Sequence, residues 1–533
     1  MDPELGGFIS KSDMKSQHAH CNLCKKDIRG SIYNIKRHFV QTPEVQTKQL
    51  FDDSVKDAEL RLAGWVAKED ISIRKTDSLL QVMKLCFPND AVCQALASSR
   101  TKTTGIIKNV LATEEKVQLA NWLKINKFAI IVDESTDKSW AKVLVIIAKY
   151  VDANYNVRED FLGLVDVHDA SSAGQKNLII KCLSDLGIPI QNLMGIGFDN
   201  ASVNTGSVKG LGVLLKEEVP NLFILGCTSN SLALCATYAA KKLPEGLEVF
   251  IHDFVNYIAS SPKRQDELKK VQLIPPNFLK LEELKLGPNT LNYITTSSSA
   301  GQLNRQQVRT IHTNCLSFLV EMCLQVSTRI DYKDETLVNL RCIDPTVAVS
   351  GKVDTIVPLM IRYPNLLGDS EAESDTLRDK LEVQWTKLTD SKEDFPKFEP
   401  SDDPGIFCKQ LRDVKDCISR PVYLEISKFM LTLCPLPHSS ASAERQFSIL
   451  NNLKTKIRNR LQTETVSALM FVKQYVIRRS ADAGSSNSWK IDDSLRLSFQ
   501  KWKGASRSTK VNLFCSNATG VDQNEKEEID FCD

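Results

Sequence analysis

Apolar residues fall into distinct patterns along the chain. Over residues 46–125 they recur at helical spacing, as in DDSVKDAELRLAGWVAKE and in TEEKVQLANWLKI, whose Thr-Glu-Glu forms a helix start. From residue 126 the pattern becomes short, β-branched apolar runs: FAIIVDE (128–134), VLVIIAKYV (143–151), FLGLVDV (161–167), LMGIGFD (193–199) and LFILGC (222–227). Such runs predict strands buried on both faces. Helical stretches near 173–186, 207–218 and from 230 onwards give the order β-β-β-α-β-α-β-α. That order predicts one mixed sheet, a meander followed by parallel αβ units, with the first and fourth strands adjacent. The fold class read from this pattern is α/β (α+β).

The strand signal is lost over residues 259–400, where helical segments surround a polar patch, TTSSSAGQLNRQQ (295–307), and a charged stretch at 368–385. Residues 420–480 are helical again. In that region Phe447, Leu450, Leu453, Ile457 and Leu461 form an apolar stripe on a predicted helix. Residues 481–533 are Ser-rich and then acidic, and are expected to be disordered.

Composition narrows the classes. The 533 residues predict about three or four units. Net charge is +2, so only local clusters bear on partners. No apolar run approaches a membrane span, and the first residues lack the apolar core of a secretory signal. The 15 cysteines are mostly scattered singly in apolar segments, which predicts reduced thiols in the cytosol or nucleus.

Two carboxylates stand at strand ends: Asp133 in IIVDESTDKS and Asp199 in GIGFDNAS. On adjacent strands both would lie within reach of one cation. Two acids alone bind Mg²⁺ weakly, and a third would complete a two-metal site for phosphodiester chemistry. The plain alternative is that turns favour Asp at strand ends. Asp137, four residues on, is the rival to Asp133 and is expected on an exposed turn.

The run from IIVDESTDKS through GIGFDNAS to LFILGCTSNSLALC resembles the ribonuclease H-like core of hAT-superfamily transposases, including copies domesticated in animal genomes. PLPHSSASAERQFSILNNLKTKIRNRLQTETVSALMFVK resembles that superfamily's C-terminal dimerisation motif. Cys21-Asn-Leu-Cys24 with Asn34-Ile-Lys-Arg-His38 resembles its BED-type zinc finger, in degenerate form. The resemblance implies six regions. They are a zinc-finger-like segment (1–45), a helical linker for DNA binding or dimerisation (46–125), the first part of the core (126–258), a shortened all-helical insertion (259–400), the C-terminal core helices with the dimerisation motif (401–480), and a disordered tail (481–533).

The resemblance further implies a catalytic triad of Asp133, Asp199 and Glu444, holding Mg²⁺ if the protein is active. Glu444 otherwise reads as an acid favoured at a helix start. Three departures from the family stand out. Where the family has Cys-x-x-His after the fifth strand, this chain has Cys227-Thr-Ser-Asn230; Asn cannot move a proton, though it caps helices well. The family's Trp near the start of the insertion is missing. The finger offers Cys21, Cys24 and His38 for Zn²⁺, three of four ligands, with His18 or His20 as a fourth.

Basic residues cluster at Lys25, Lys26, Arg29, Lys36 and Arg37, and again over 451–480, where Lys454 and Arg458 are four apart. They suit phosphate contact, or a solvated helix face. Together these readings predict a nuclear, DNA-binding, dimerising hAT-derived protein, not a membrane protein, without full transposition. An active Mg²⁺-dependent transposase or nuclease and a protein-interaction scaffold are the alternatives.

Overall fold

The computed structural model describes residues 9–11, 18–21, 27–29, 43–199, 210–243, 288–329, 334–367, 371–390, 403–437, 439–456, 458–482 and 489–516. Three short strands, β1 (Ile9–Lys11), β2 (His18–Cys21) and β3 (Asp27–Arg29), form a small antiparallel sheet. Cys21 ends β2, whereas Cys24 and His38 of the expected finger lie outside the described residues.

The main sheet has five strands: β4 (Phe128–Thr136), β5 (Lys142–Val151), β6 (Val157–Asp166), β7 (Leu193–Phe198) and β8 (Phe223–Gly226). Their spatial order is β6-β5-β4-β7-β8. The first three are antiparallel, and β7 and β8 add in parallel beyond β4. The first and fourth strands predicted from sequence are therefore neighbours.

Alternating residues of β4 enter two different cores. Ile131 joins one core and Ile130 and Val132 the other. This is why the strand reads as an unbroken apolar run. The second face is covered by α2 (Ala112–Ile125), α3 (Ser172–Asp185) and α4 (Leu211–Lys216). The first face is covered by α1 (Pro43–Lys68) and by helices from the chain's C-terminal part. Within residues 46–125, Leu60, Ala63, Ile106 and Leu111 are fully buried in the core they share with the sheet.

After β8 comes α5 (Thr228–Ala240). The described parts of 259–400 are helical, including α6 (Arg305–Arg329) and α7 (Glu371–Asp390). With α8 (Leu424–Leu433) much of this region builds a third core around Trp385, Phe407 and Met430, which meets the sheet through Met194, Phe223 and Leu436. The chain then returns to the first face as α9 (Ala441–Leu453) and α10 (Thr463–Asp482). The stripe expected to run through Leu461 is broken. The helix stops at Leu453 and Lys454 takes an extended backbone.

The tail departs most from expectation. Asp493–Ser516 forms a helix, α11, and Trp489, Ile491, Leu495 and Phe499 are buried in the first core. Trp489 meets Tyr475 of α10 edge to face, with ring centroids 5.6 Å apart. These four side chains bury enough apolar surface to order a segment whose Ser-rich and acidic flanks suggest disorder. Residues 517–533 lie outside the described residues. No described helix is long and apolar enough to cross a membrane.

Candidate functional site

The candidate site sits at the C-terminal ends of β4, β7 and β8. Ile131 pairs with Gly197 in the parallel β4–β7 register. Two residues beyond this last registered pair on each chain segment come Asp133 and Asp199, close enough for the Asp199 charge to act on Asp133. The shared parity also fixes their face. A Cβ on Gly197 would lie 3.7 Å from Ile131 and 2.8 Å from Pro437, so Gly197, Ile131 and the segment leading into α9 share one side of the sheet. Asp133 and Asp199 have the same parity as these residues, so both project to the side where α9 packs on β4 and β5.

The glycines at 195 and 197 make that packing possible. Pro437 and Leu436 would be 2.9 and 3.1 Å from a Cβ at 195, so the returning chain lies directly on the β7 backbone. The Lys149 ammonium donates to the Leu436 carbonyl at 3.2 Å. Arg445 of α9 pairs with Glu159 of β6 at 2.8 Å. These ties deliver Glu444, in the first turn of α9, to the edge holding the two aspartates.

Electrostatics report that the three acids share one field. Burial pushes the Asp133 carboxyl up to about 7, and the charges of Asp199, Glu444 and Glu134 add to the effect against one backbone hydrogen bond. Asp133 and Asp199 are half-buried and Glu444 is exposed. Hard carboxylate oxygens suit a divalent cation in kind. Among the described residues no group of three or more His, Cys, Asp or Glu side chains that could hold a metal ion is found.

Cys227, the first residue of the Cys-Thr-Ser-Asn run, links the helix starts at this edge. Its backbone N–H extends the β7–β8 ladder to the Phe198 carbonyl at 2.8 Å. Its buried sulfur accepts from the N–H groups of Asn230 at 3.4 Å and Ser440 at 3.5 Å. Burial alone would raise this thiol; the hydrogen bonds from Ser440, Asn230 and Ser229 outweigh it and lower the pKa. Cys227, not Asn230, is the N-cap of α5, and Asn230 stands exposed in the first turn. The bond from the Ser440 N–H spans 213 positions, so no local sequence pattern announces the role.

The basic cluster at 451–480 is largely structural. Lys454, expected to contact phosphate, is buried against Asp137 at 2.5 Å. Asp137 itself is buried rather than exposed on its turn. Arg458 donates to the Asp70 carbonyl at 3.2 Å, and its burial leaves it less available than expected. Lys473 pairs with Asp70, Arg478 with buried Glu115, and Arg479 with Asp492. Lys456 and Arg460 remain on the surface. Of the N-terminal cluster, Lys25, Lys26, Lys36 and Arg37 lie outside the described residues, and Arg29 closes β3.

A mixed sheet in this strand order, with acids at the ends of adjacent first and fourth strands, defines an RNase-like α/β protein. Residues 80–210 match the family described as the ZMYM1/FAM200 RNase-like domain, and residues 419–476 match the hAT family C-terminal dimerisation region. No curated protein matches the chain. The two family matches, in this order on this fold, support a hAT-family transposase-derived protein. Within the dimerisation region, Leu450, Leu469 and Phe471 are buried in the chain's own core and Phe447 is half-buried, so the first three do not form an outer surface.

Proposed function

We propose that this protein binds DNA as a dimer and does not carry out complete transposition. The observation that carries the reading is Asn230. It stands exposed in the first turn of α5, at the edge that holds Asp133 and Asp199, in the position where the resemblance leads one to expect His. An amide there can accept and donate hydrogen bonds but cannot carry a proton between leaving group and solvent. The acids are retained and this polar partner is not. Such a protein would act in the nucleus.

One observation favours the second reading, metal-dependent strand cleavage: the charge that Asp133 feels from Asp199 and Glu444. Acids kept in mutual repulsion are common at functional sites.

Phosphate contact on this reading rests chiefly on the N-terminal cations, because Lys454 and Arg458 are engaged inside the fold. Binding of the full chain to duplex DNA is expected to weaken steeply with salt, with a log–log slope of about −0.9 per phosphate neutralised. Replacing Lys25, Lys26, Lys36 and Arg37 with serine flattens the slope, and light scattering at micromolar concentration reports a dimer. A chain that binds no DNA at low salt would favour the scaffold reading instead.

A further inference from the structure

The β4–β5 connection ends in a tryptophan that the fold does not use. Trp140 is 88% exposed, and its backbone has φ +66°. Tryptophan is usually well buried, and a bulky residue in the left-handed region is an outlier that the surrounding structure must enforce. Here the enforcement is visible. The Asp137 carboxylate accepts from the N–H of Ser139 at 2.7 Å, the Ser139 hydroxyl at 2.6 Å and the N–H of Ala141 at 3.1 Å. The Trp140 N–H closes the turn on the Asp137 carbonyl at 3.1 Å. The Lys454 ammonium bonds both Asp137 and, at 3.3 Å, the Ser139 hydroxyl. A buried ion pair thus fixes a turn whose tip is an exposed indole.

The surroundings select the ligand. Lys138 and Lys142 flank the turn and are exposed, and Lys142 also pairs with Glu134 at 2.9 Å. Lys456 is exposed two residues beyond Lys454, which is itself bonded into the turn. Asp137, the acid within the turn, is neutralised by Lys454. The turn begins past Thr136, about 10 Å beyond Asp133 at roughly 3.4 Å per residue. An aromatic face with cations around it, at the edge that carries the acids, matches a nucleic-acid strand with an unstacked base.

We propose that Trp140 is a preset stacking platform for an unpaired base of DNA, with Lys138 and Lys456 contacting the adjoining phosphates. This rests on the DNA-binding reading above and specifies where the strand is gripped. Because Trp140 is 88% exposed, Trp140→Ala is expected to leave the protein folded, which circular dichroism and the denaturation midpoint check.

The test compares a labelled duplex carrying an unpaired stretch with the same duplex fully paired, at one salt concentration, by fluorescence anisotropy. Trp140→Ala is expected to weaken binding of the unpaired substrate roughly 5- to 150-fold and to leave the paired duplex unchanged. Trp140→Phe retains most of the affinity. Equal affinity of Trp140→Ala and the unmodified chain for both substrates would overturn the platform and leave DNA binding standing. Absence of any binding by the unmodified chain would overturn both. Loss of self-association in Trp140→Ala with DNA binding intact would assign the indole to a protein contact and overturn the proposal.

Discussion

Lys454→Ala is expected to cost about 3–5 kcal/mol of stability. The side chains of Lys454 and Asp137 are 4% and 1% exposed, so removing the ammonium strands a carboxylate away from water. Burial pushes Asp137 up, but hydrogen bonds from Lys454, Ser139 and Ala141 more than reverse this and hold it below the usual carboxylate value. The sign follows. A lowered folded pKa means the pair's stabilisation is complete above the unfolded value, near about 3.9, and is lost as pH falls through the folded value. The deficit of Lys454→Ala should therefore be full at pH 7 and shrink in acid. Adding Asp137→Asn should recover much of it, because no unpaired charge then remains buried. Chemical denaturation of the two variants checks this, and a deficit under about 1 kcal/mol at pH 7 would mean that water reaches Asp137.

The second large effect has the opposite sign. Asp133→Asn is expected to stabilise the protein by about 2–4 kcal/mol above pH 7, since each tenfold change in a proton-binding equilibrium is worth about 1.36 kcal/mol. Asp133 is raised to about 7 by burial and by the charges of Asp199 and Glu444. Between the unfolded value and 7 the folded chain holds a proton that the unfolded chain has released, so stability falls as pH rises through that window. The amide cannot ionise and escapes the penalty. Near pH 4 the variant and the unmodified chain should be alike, and the gap should widen up to pH 7 and then stay constant. Asp199→Asn should recover only part of the gain, since burial of Asp133 is the larger cause and remains. A variant equally stable or weaker at pH 8 would show that burial and the neighbouring charges do not hold the Asp133 carboxyl up. Carboxylates kept at a cost to folding point to selection for something other than stability.

How much of this was legible in the sequence depends on the range of the interaction. Strands such as 143–151 were readable because burial on both faces leaves an unbroken apolar run. Asp133 and Asp199 were readable because each sits at the end of such a run, and the strand order makes the runs neighbours. Glu444 was reached only through the resemblance, since nothing local ties residue 444 to residue 133. The Lys454–Asp137 pair spans 317 positions and leaves no periodic trace. It also explains why the predicted helix through Leu461 ends at Leu453: the chain leaves the helix as Lys454 reaches its partner. Trp489, Ile491, Leu495 and Phe499 were hidden by polar neighbours, although Leu495, Phe499 and Trp502 keep helical spacing. Cys227 belongs to a motif that lacks its His here, and its position at two helix starts emerges only from the fold.

On the proposed function, an RNase-like sheet edge with its acids in place serves a protein that holds DNA without transposing it. The most direct measurement incubates the purified full chain with labelled DNA carrying candidate terminal repeats, with Mg²⁺ or Mn²⁺, and follows binding, cleavage and joining in the same sample. Asp133→Ala and Asn230→His are run alongside. Shifted DNA without a joined product is expected for the unmodified chain. Joining by the unmodified chain, abolished by Asp133→Ala, would contradict it.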